Sequence, residues 1–370
     1  MMFRIIKGAL LLYSLSFIVQ AFSSLIPPLL STFLVEMNAT NLEIGVISGL
    51  GAITYVLMTP ITGILSLKMD RRILLLSSFF IMSISLILFS TASSPAQLIP
   101  YNMLLILSVS LFWPVIESML PTIQNSKSVI GPFGLSWSLG MMLSSMIVGL
   151  LVSLPKRSLF QVLSLFPLLL TPLLSLLKEH KVEDFGNRAS ARCIKSPLQL
   201  VELLLGGIVY ASTIGTVFIF YPVYVVRREI EEWTISLILS LVVLARTLAF
   251  VLYNSIGEEK GKLLGPLLIV VGTPLLSLPE KVVNAVSSFI VGFGTGITYS
   301  YVFERVASSS PEIKGIHAGL FESSIGVGYL VGPLIAGISS EGDPGNAFIS
   351  IVVLPFTVLL LNVSKKIRVR

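Results

Sequence analysis

TGILSLKMDRRILLL, residues 62–76, decides how the chain is read. Long apolar runs flank it on both sides. Lys68, Asp70, Arg71 and Arg72 form a tight, mostly basic knot in its middle. Over all 370 residues the hydrophobic fraction is 54%, only 12% of residues are charged, and the mean hydropathy is +0.93. A soluble domain carries about 25% charged residues. Composition therefore places the chain in a lipid bilayer, and a basic knot between two apolar runs there is first a topology signal.

Working outward from the knot, a membrane span needs about 20 apolar residues. Twelve candidates follow, at 6–34, 42–66, 73–92, 97–120, 128–153, 158–178, 197–225, 233–256, 263–279, 281–304, 316–339 and 346–364, the ninth being short. Irregular backbone cannot face lipid, so each is expected to be an α-helix. Prolines within the spans, Pro27 and Pro28 among them, are expected to kink them. The first apolar segment is longer than a signal-peptide core and lacks a small-residue cleavage site, so it is read as a membrane helix.

With the N-terminus in the cytoplasm, nineteen Lys and Arg fall in inner segments, five in outer loops, and Arg246 lies within a span. That split predicts cytoplasmic N- and C-termini in the plasma membrane and an even number of spans. It also accounts for the net charge of +6 without a nucleic-acid surface. The polar stretch 178–196 is read as a cytoplasmic linker between two six-helix halves, 1–177 and 197–370.

The halves carry matching features. The knot recurs after span 8 as Glu258-Glu259-Lys260-Gly261-Lys262, 191 residues later. Glu117 ends span 4 and Glu304 ends span 10. Gly140, Ser144, Ser145 and Gly149 in span 5 correspond to Gly328, Gly332, Pro333 and Gly337 in span 11, 188 residues later. Agreement of three pairs near one offset argues for internal duplication, a common transporter feature. The five glycines and Pro333 are read as helix-packing positions.

At this point a resemblance becomes specific. The knot resembles the loop 2–3 signature of the major facilitator superfamily, commonly G-x-L-x-D-R-x-G-R-[RK]. Gly63, Leu65, Arg71 and Arg72 fit it, while Leu67 stands where the Asp is usual and Asp70 where the second Gly is usual. GVGYLVGPLIAGI, 326–338, resembles the Gly- and Pro-rich helix of the same family. The resemblance implies an all-α membrane fold of twelve helices in two pseudo-symmetric six-helix bundles that rock against each other. It implies a gating set of Lys68, Asp70, Arg71, Arg72, Glu117, Glu258, Lys262 and Glu304, with Arg71 pairing with Glu117 and Lys262 with Glu304. It also implies that spans 3, 6, 9 and 12 are peripheral and that the other eight line the cavity.

Ionisable groups at membrane depth are costly and need a reason. They are Glu117, Glu202, Arg246, Glu304 and Glu322. At 1.5 Å per residue, Arg246 is about 15 Å and Glu322 about 9 Å from the inner ends of their spans. Arg246 is read as a substrate-facing cation and Glu322 as its partner or a proton carrier, against the alternative of a structural bridge between the two. Gln20, Tyr55, Trp113, Trp137, Tyr210, Tyr299 and Tyr329 are uncharged candidates for substrate contact, since rings with a polar tip suit an amphipathic ligand.

The chain is expected to be a monomeric secondary or facilitative transporter for a small organic solute, leaning to efflux of amphipathic compounds, with proton coupling left open. Uptake of a sugar or organic anion is the alternative direction and class. There is no phosphate-binding GxxxxGK[ST] loop and no HExxH, and the glycines of 292–299 lie inside an apolar span rather than after a strand. No cofactor is expected. A transporter-like sensor or scaffold and an intramembrane enzyme are the rivals. The enzyme is disfavoured because no His or Asp lies deep in a span.

Overall fold

The computed structural model describes residues 2–119, 127–177, 197–307 and 311–368; the linker 178–196 lies outside them. Every regular element among the described residues is helical. The first half holds α1 (Met2–Ser23), α2 (Ile26–Glu36), α3 (Asn41–Lys68), α4 (Arg71–Thr91), α5 (Leu98–Met119), α6 (Lys127–Val152) and α7 (Lys156–Leu174). The second holds α8 (Pro197–Arg227), α9 (Trp233–Ile256), α10 (Glu258–Leu275), α11 (Lys281–Ala307), α12 (Pro311–Ser339), α13 (Asn346–Ser350) and α14 (Val353–Arg368). They make twelve spans, because α1 with α2 and α13 with α14 each form one.

Two spans expected to be continuous are interrupted. Pro27 and Pro28 cannot donate to the helix ladder, and their rings crowd the carbonyls four residues back. The chain answers with a turn at Ser24–Leu25, where the Leu25 N–H bonds the Phe22 carbonyl at 3.1 Å. Pro355 does the same to span 12, where the N–H groups of Val352 and Leu354 reach only three residues back, at 3.3 Å. Prolines 60, 114, 222 and 333 sit inside unbroken helices.

Eleven spans among the described residues are long and apolar enough to cross a bilayer. The ninth, α10, is 18 residues long and opens on Glu258, Glu259, Lys260 and Lys262. Its uncharged stretch, 263–275, is about 20 Å long. That is short for a hydrocarbon core of about 30 Å.

The basic knot is a helix-end clasp. Asp70 caps α4, its carboxylate accepting the Arg72 N–H at 2.7 Å, which gives a local reason for Asp where the family signature has Gly. Lys68 closes the last turn of α3, where a cation complements the helix dipole. Arg71 Nε donates to the Ser66 carbonyl at 3.4 Å, and Arg72 Nη2 donates to the Leu177 carbonyl just past α7. The side chain of Leu67 is outside the described residues.

The duplication is visible in the packing. In the first half α6 packs on α1, α5 on α3, α4 on α5 and α7 on α4. In the second α12 packs on α8, α11 on α9, α10 on α11 and α14 on α10. A shift of six spans turns one set into the other. The halves meet through α3 with α12, α6 with α9, and α2 with α8. The first two pairings exchange under the same shift.

Small residues permit these close approaches. A Cβ on Gly140 would strike the Phe17 carbonyl of α1, and one on Gly328 would lie 2.6 Å from the Ile208 carbonyl of α8. Across the halves, a Cβ on Gly149 would lie 2.6 Å from the Glu232 carbonyl, and one on Gly337 would lie 2.7 Å from the Asn41 carbonyl. Phe17 with Ile208, and Asn41 with Glu232, are each 191 residues apart, the offset of the knots. Gly332 and the Pro333 carbonyl pack against Ser212 and Gly45 respectively.

Candidate functional site

The apolar core divides along the spans. Toward the knot, Leu12, Leu15, Leu75, Phe79, Phe112 and Leu174 belong to a cluster confined to the first half. Toward the opposite end, one continuous cluster joins both halves, from Leu30 and Phe33 to Tyr224 and Phe348. There the halves are also stitched by polar caps. Asn41 Nδ2 donates to the Ser340 carbonyl at 2.5 Å, the Leu42 N–H donates to the Glu341 carboxylate, and Arg227 donates to the Ala39 carbonyl at 2.6 Å. The Gly149 N–H donates to Ser236 Oγ at 2.8 Å on the pseudo-symmetric pair of helices. Among the described residues, the polar contacts that close one half on the other gather at the end away from the knot, which is sealed.

A cavity of about 1170 Å³ lies between the halves. Among the described residues its walls come from α1, α2, α3, α5, α6, α8, α9, α11 and α12, with Met82 of α4 at one edge and none from α7, α10, α13 or α14. Gln20, Tyr55, Trp113 and Trp137 line it from the first half. Tyr210, Arg246, Tyr299, Glu322 and Tyr329 line it from the second. Glu117 and Glu304 stand toward its knot end. The side chain of Glu202 is outside the described residues.

Arg246 is 1% exposed. Nη1 donates to Tyr210 Oη at 3.2 Å and Nη2 to Ser138 Oγ at 3.3 Å. Its guanidinium carbon lies 5.0 Å from the Trp137 ring centre and 5.8 Å from that of Phe250. These distances suit cation–π attraction, which strengthens where water is excluded. Tyr299 packs against Trp137, Tyr210, Phe250 and Phe321, with ring centres 4.9 to 6.2 Å apart.

Two pairings that were expected are not formed. Glu322 accepts from Tyr55 Oη at 3.0 Å and makes no ion pair with Arg246, so the structural bridge is absent. Tyrosines take up both charges instead, Tyr210 on Arg246 and Tyr55 on Glu322. Lys262 pairs with Glu259 at 2.6 Å, and Glu304 instead accepts from Tyr253 Oη at 2.9 Å. Glu117 lines the cavity toward its knot end.

Sequence reasoning did not single out Ser138, Thr247, Phe250 or Tyr253. Ser138 and Thr247 join α6 to α9 at 2.6 Å. Phe250 and Tyr253 follow Arg246 by four and seven residues, the spacing of one helix face, and that signal could have found them.

The family profile of the Major Facilitator Superfamily matches residues 12–333. The chain belongs to the Major Facilitator Superfamily. As a superfamily member it is a multi-pass membrane transporter for small molecules, not an enzyme. It superposes on a point variant of the nucleoside transporter NupG with a TM-score of 0.82 at 13% identity, covering 96% of this chain and 99% of the other. A bacterial homologue of the human lysosomal transporter Spinster, inward-facing and unoccupied, matches with a TM-score of 0.74 at 13% identity, covering 97% and 94%. Its occupied inward-facing form matches with a TM-score of 0.75. At such identities the likeness is one of fold. No curated protein matches the chain.

Proposed function

We propose that this superfamily member is a secondary transporter that carries a small amphipathic organic solute by alternating access. The carrying observation is the cavity of about 1170 Å³, walled by both halves, sealed at one end and rich in aromatic rings. Pockets of this size and character bury most of a drug-sized ligand. Nineteen basic residues on the knot side against five opposite support a cytoplasmic knot and an inward-open state. A plasma-membrane location, export as the working direction and a monomeric state belong to the same proposal.

Glu322 is the proton-exchange candidate. It lies at span depth on the wall of the cavity, and among the described residues it is bonded only to Tyr55, through Oε2. Arg71 and Arg72 lie at the knot and Glu117 at the knot end of the cavity, which supports reading them as residues that meet the second half when the halves rock. Their gating role is part of this reading.

The test is counterflow in proteoliposomes with amphipathic amines, aromatic acids, sugars and nucleosides, the last because NupG is a nucleoside transporter. Saturable exchange of one class is expected, and Glu322→Gln should flatten its dependence on pH. Exchange with no class, from protein whose opposite faces never alternate in cysteine labelling, would leave a sensor or scaffold in its place.

A further inference from the structure

Arg246 is a buried cation without a counter-charge. No described carboxylate comes within 4.0 Å of it. Nη1 and Nη2 reach only neutral hydroxyl oxygens, and Nε is buried with no acceptor at all. Guanidinium is never neutral in a protein, and a buried charge is normally paired. The cavity also holds carboxylates, but none of them pairs with Arg246: Glu322 accepts from Tyr55, Glu304 accepts from Tyr253, and Glu117 stands at the knot end. The site therefore keeps an anion-binding group in reserve on the wall of its own cavity.

The surroundings specify what the anion is attached to. Trp137 and Phe250 flank the guanidinium, and Tyr299 packs on both rings. These rings cover the guanidinium, so a solute's head reaches it only when Trp137 or Phe250 swings aside, and the displaced ring can then stack on a flat apolar body. Glu117, Glu304 and Glu322 in the same cavity disfavour a second negative charge on the solute.

We infer that the solute is a monocarboxylate on a planar apolar body, its carboxylate paired with Arg246 and its ring laid against Trp137, Phe250 and Tyr299. This rests on the transporter reading and narrows it. An ammonium group elsewhere on the solute, facing Glu322, is compatible with the same chemistry.

The experiment uses the full chain in nanodiscs and three near-isosteric probes: 3-phenylpropanoate, 3-phenylpropanamide and 3-phenylpropylammonium. The carboxylate should bind at least about tenfold more tightly than the amide, the worth of a charge-assisted hydrogen bond. Phenylalanine, as a zwitterion, then shows whether Glu322 adds to the site. Arg246→Gln should erase the preference, so that acid and amide bind alike. A merely structural Arg246 would instead weaken both probes together and leave their ratio intact. The wild-type ratio alone decides the matter should Arg246→Gln not fold. Equal binding of acid and amide, tighter binding of the ammonium, or binding of none overturns the inference. Counterflow of the amide or ammonium would do so while sparing the transporter reading. Tight carboxylate binding without flux of any probe would do the reverse.

Discussion

Asp343 illustrates how single charges are used outside the membrane. It lies in the loop after α12, accepting the Gly345 N–H at 2.8 Å and an Arg228 guanidinium N–H at 2.7 Å. The Gly345 hydrogen bond first, and then Arg228, hold its carboxyl below the usual carboxylate range. A carboxyl depressed in the folded state adds stability above its unfolded value, and that stability is lost as pH falls through the folded value. Asp343→Asn should therefore lower the melting temperature at pH 7, with the deficit closing as pH drops below about 3.9. Both side chains are nearly half exposed, so at most about 1 kcal/mol is at stake. A deficit of the same size at pH 7 and pH 3 would show that charge is not the cause. Arg246 is the opposite case: its charge is shut away from water and has no ionised partner among the described residues.

Helices were legible in the sequence because lipid demands long apolar runs, and each span lies close to its expected limits. The breaks were less so. Pro27 and Pro28 signalled a bend but not a full interruption, and Pro355 lies midway along its span, inside an apolar run that hydropathy reads as unbroken. The cavity charges and rings stood out because polar groups are rare in such runs. Ser138 and Thr247 did not, because membrane hydroxyls usually bond their own helix, as Thr247 also does to the Val243 carbonyl at 2.8 Å. Long-range caps such as Asn41 to Ser340 left no local signature in either segment. The glycines at equivalent positions did signal close approach, and they carry an element-scale prediction. Gly149 and Gly337 admit α9 and α3 to the sealed end, where a Cβ already meets backbone oxygen. Gly149→Leu should pry α6 from α9 at that end alone. Cysteines placed there should become more reactive, and those near the knot less so. Unchanged labelling at both ends would mean that this approach does not govern the state.

At the scale of the molecule, the two ends are built differently from one repeated plan. Two equivalent helix pairs, α3 with α12 and α6 with α9, meet across the halves at the sealed end, the first through reciprocal caps. The Asn41 side chain of α3 serves the carbonyl end of α12, and Glu341, just beyond α12, serves the amino end of α3. A carboxylate at a helix N-terminus is favoured by the helix dipole, typically by about 0.3–1 kcal/mol near the surface. Each cap is thus weak enough to be broken and re-formed, and the apolar cluster that joins the halves beneath the caps must part with them. Fixing the caps should stop the cycle without disturbing the cavity. With Cys193 replaced, Leu42→Cys and Glu341→Cys joined by a short thiol-specific linker should hold the sealed end shut. Solute binding from the knot side should persist, while counterflow falls to the background of empty liposomes and returns when a cleavable linker is cut. Undiminished counterflow in the fully linked protein would mean that this end need not open. The solute would then have to cross by a route that does not part α3 from α12.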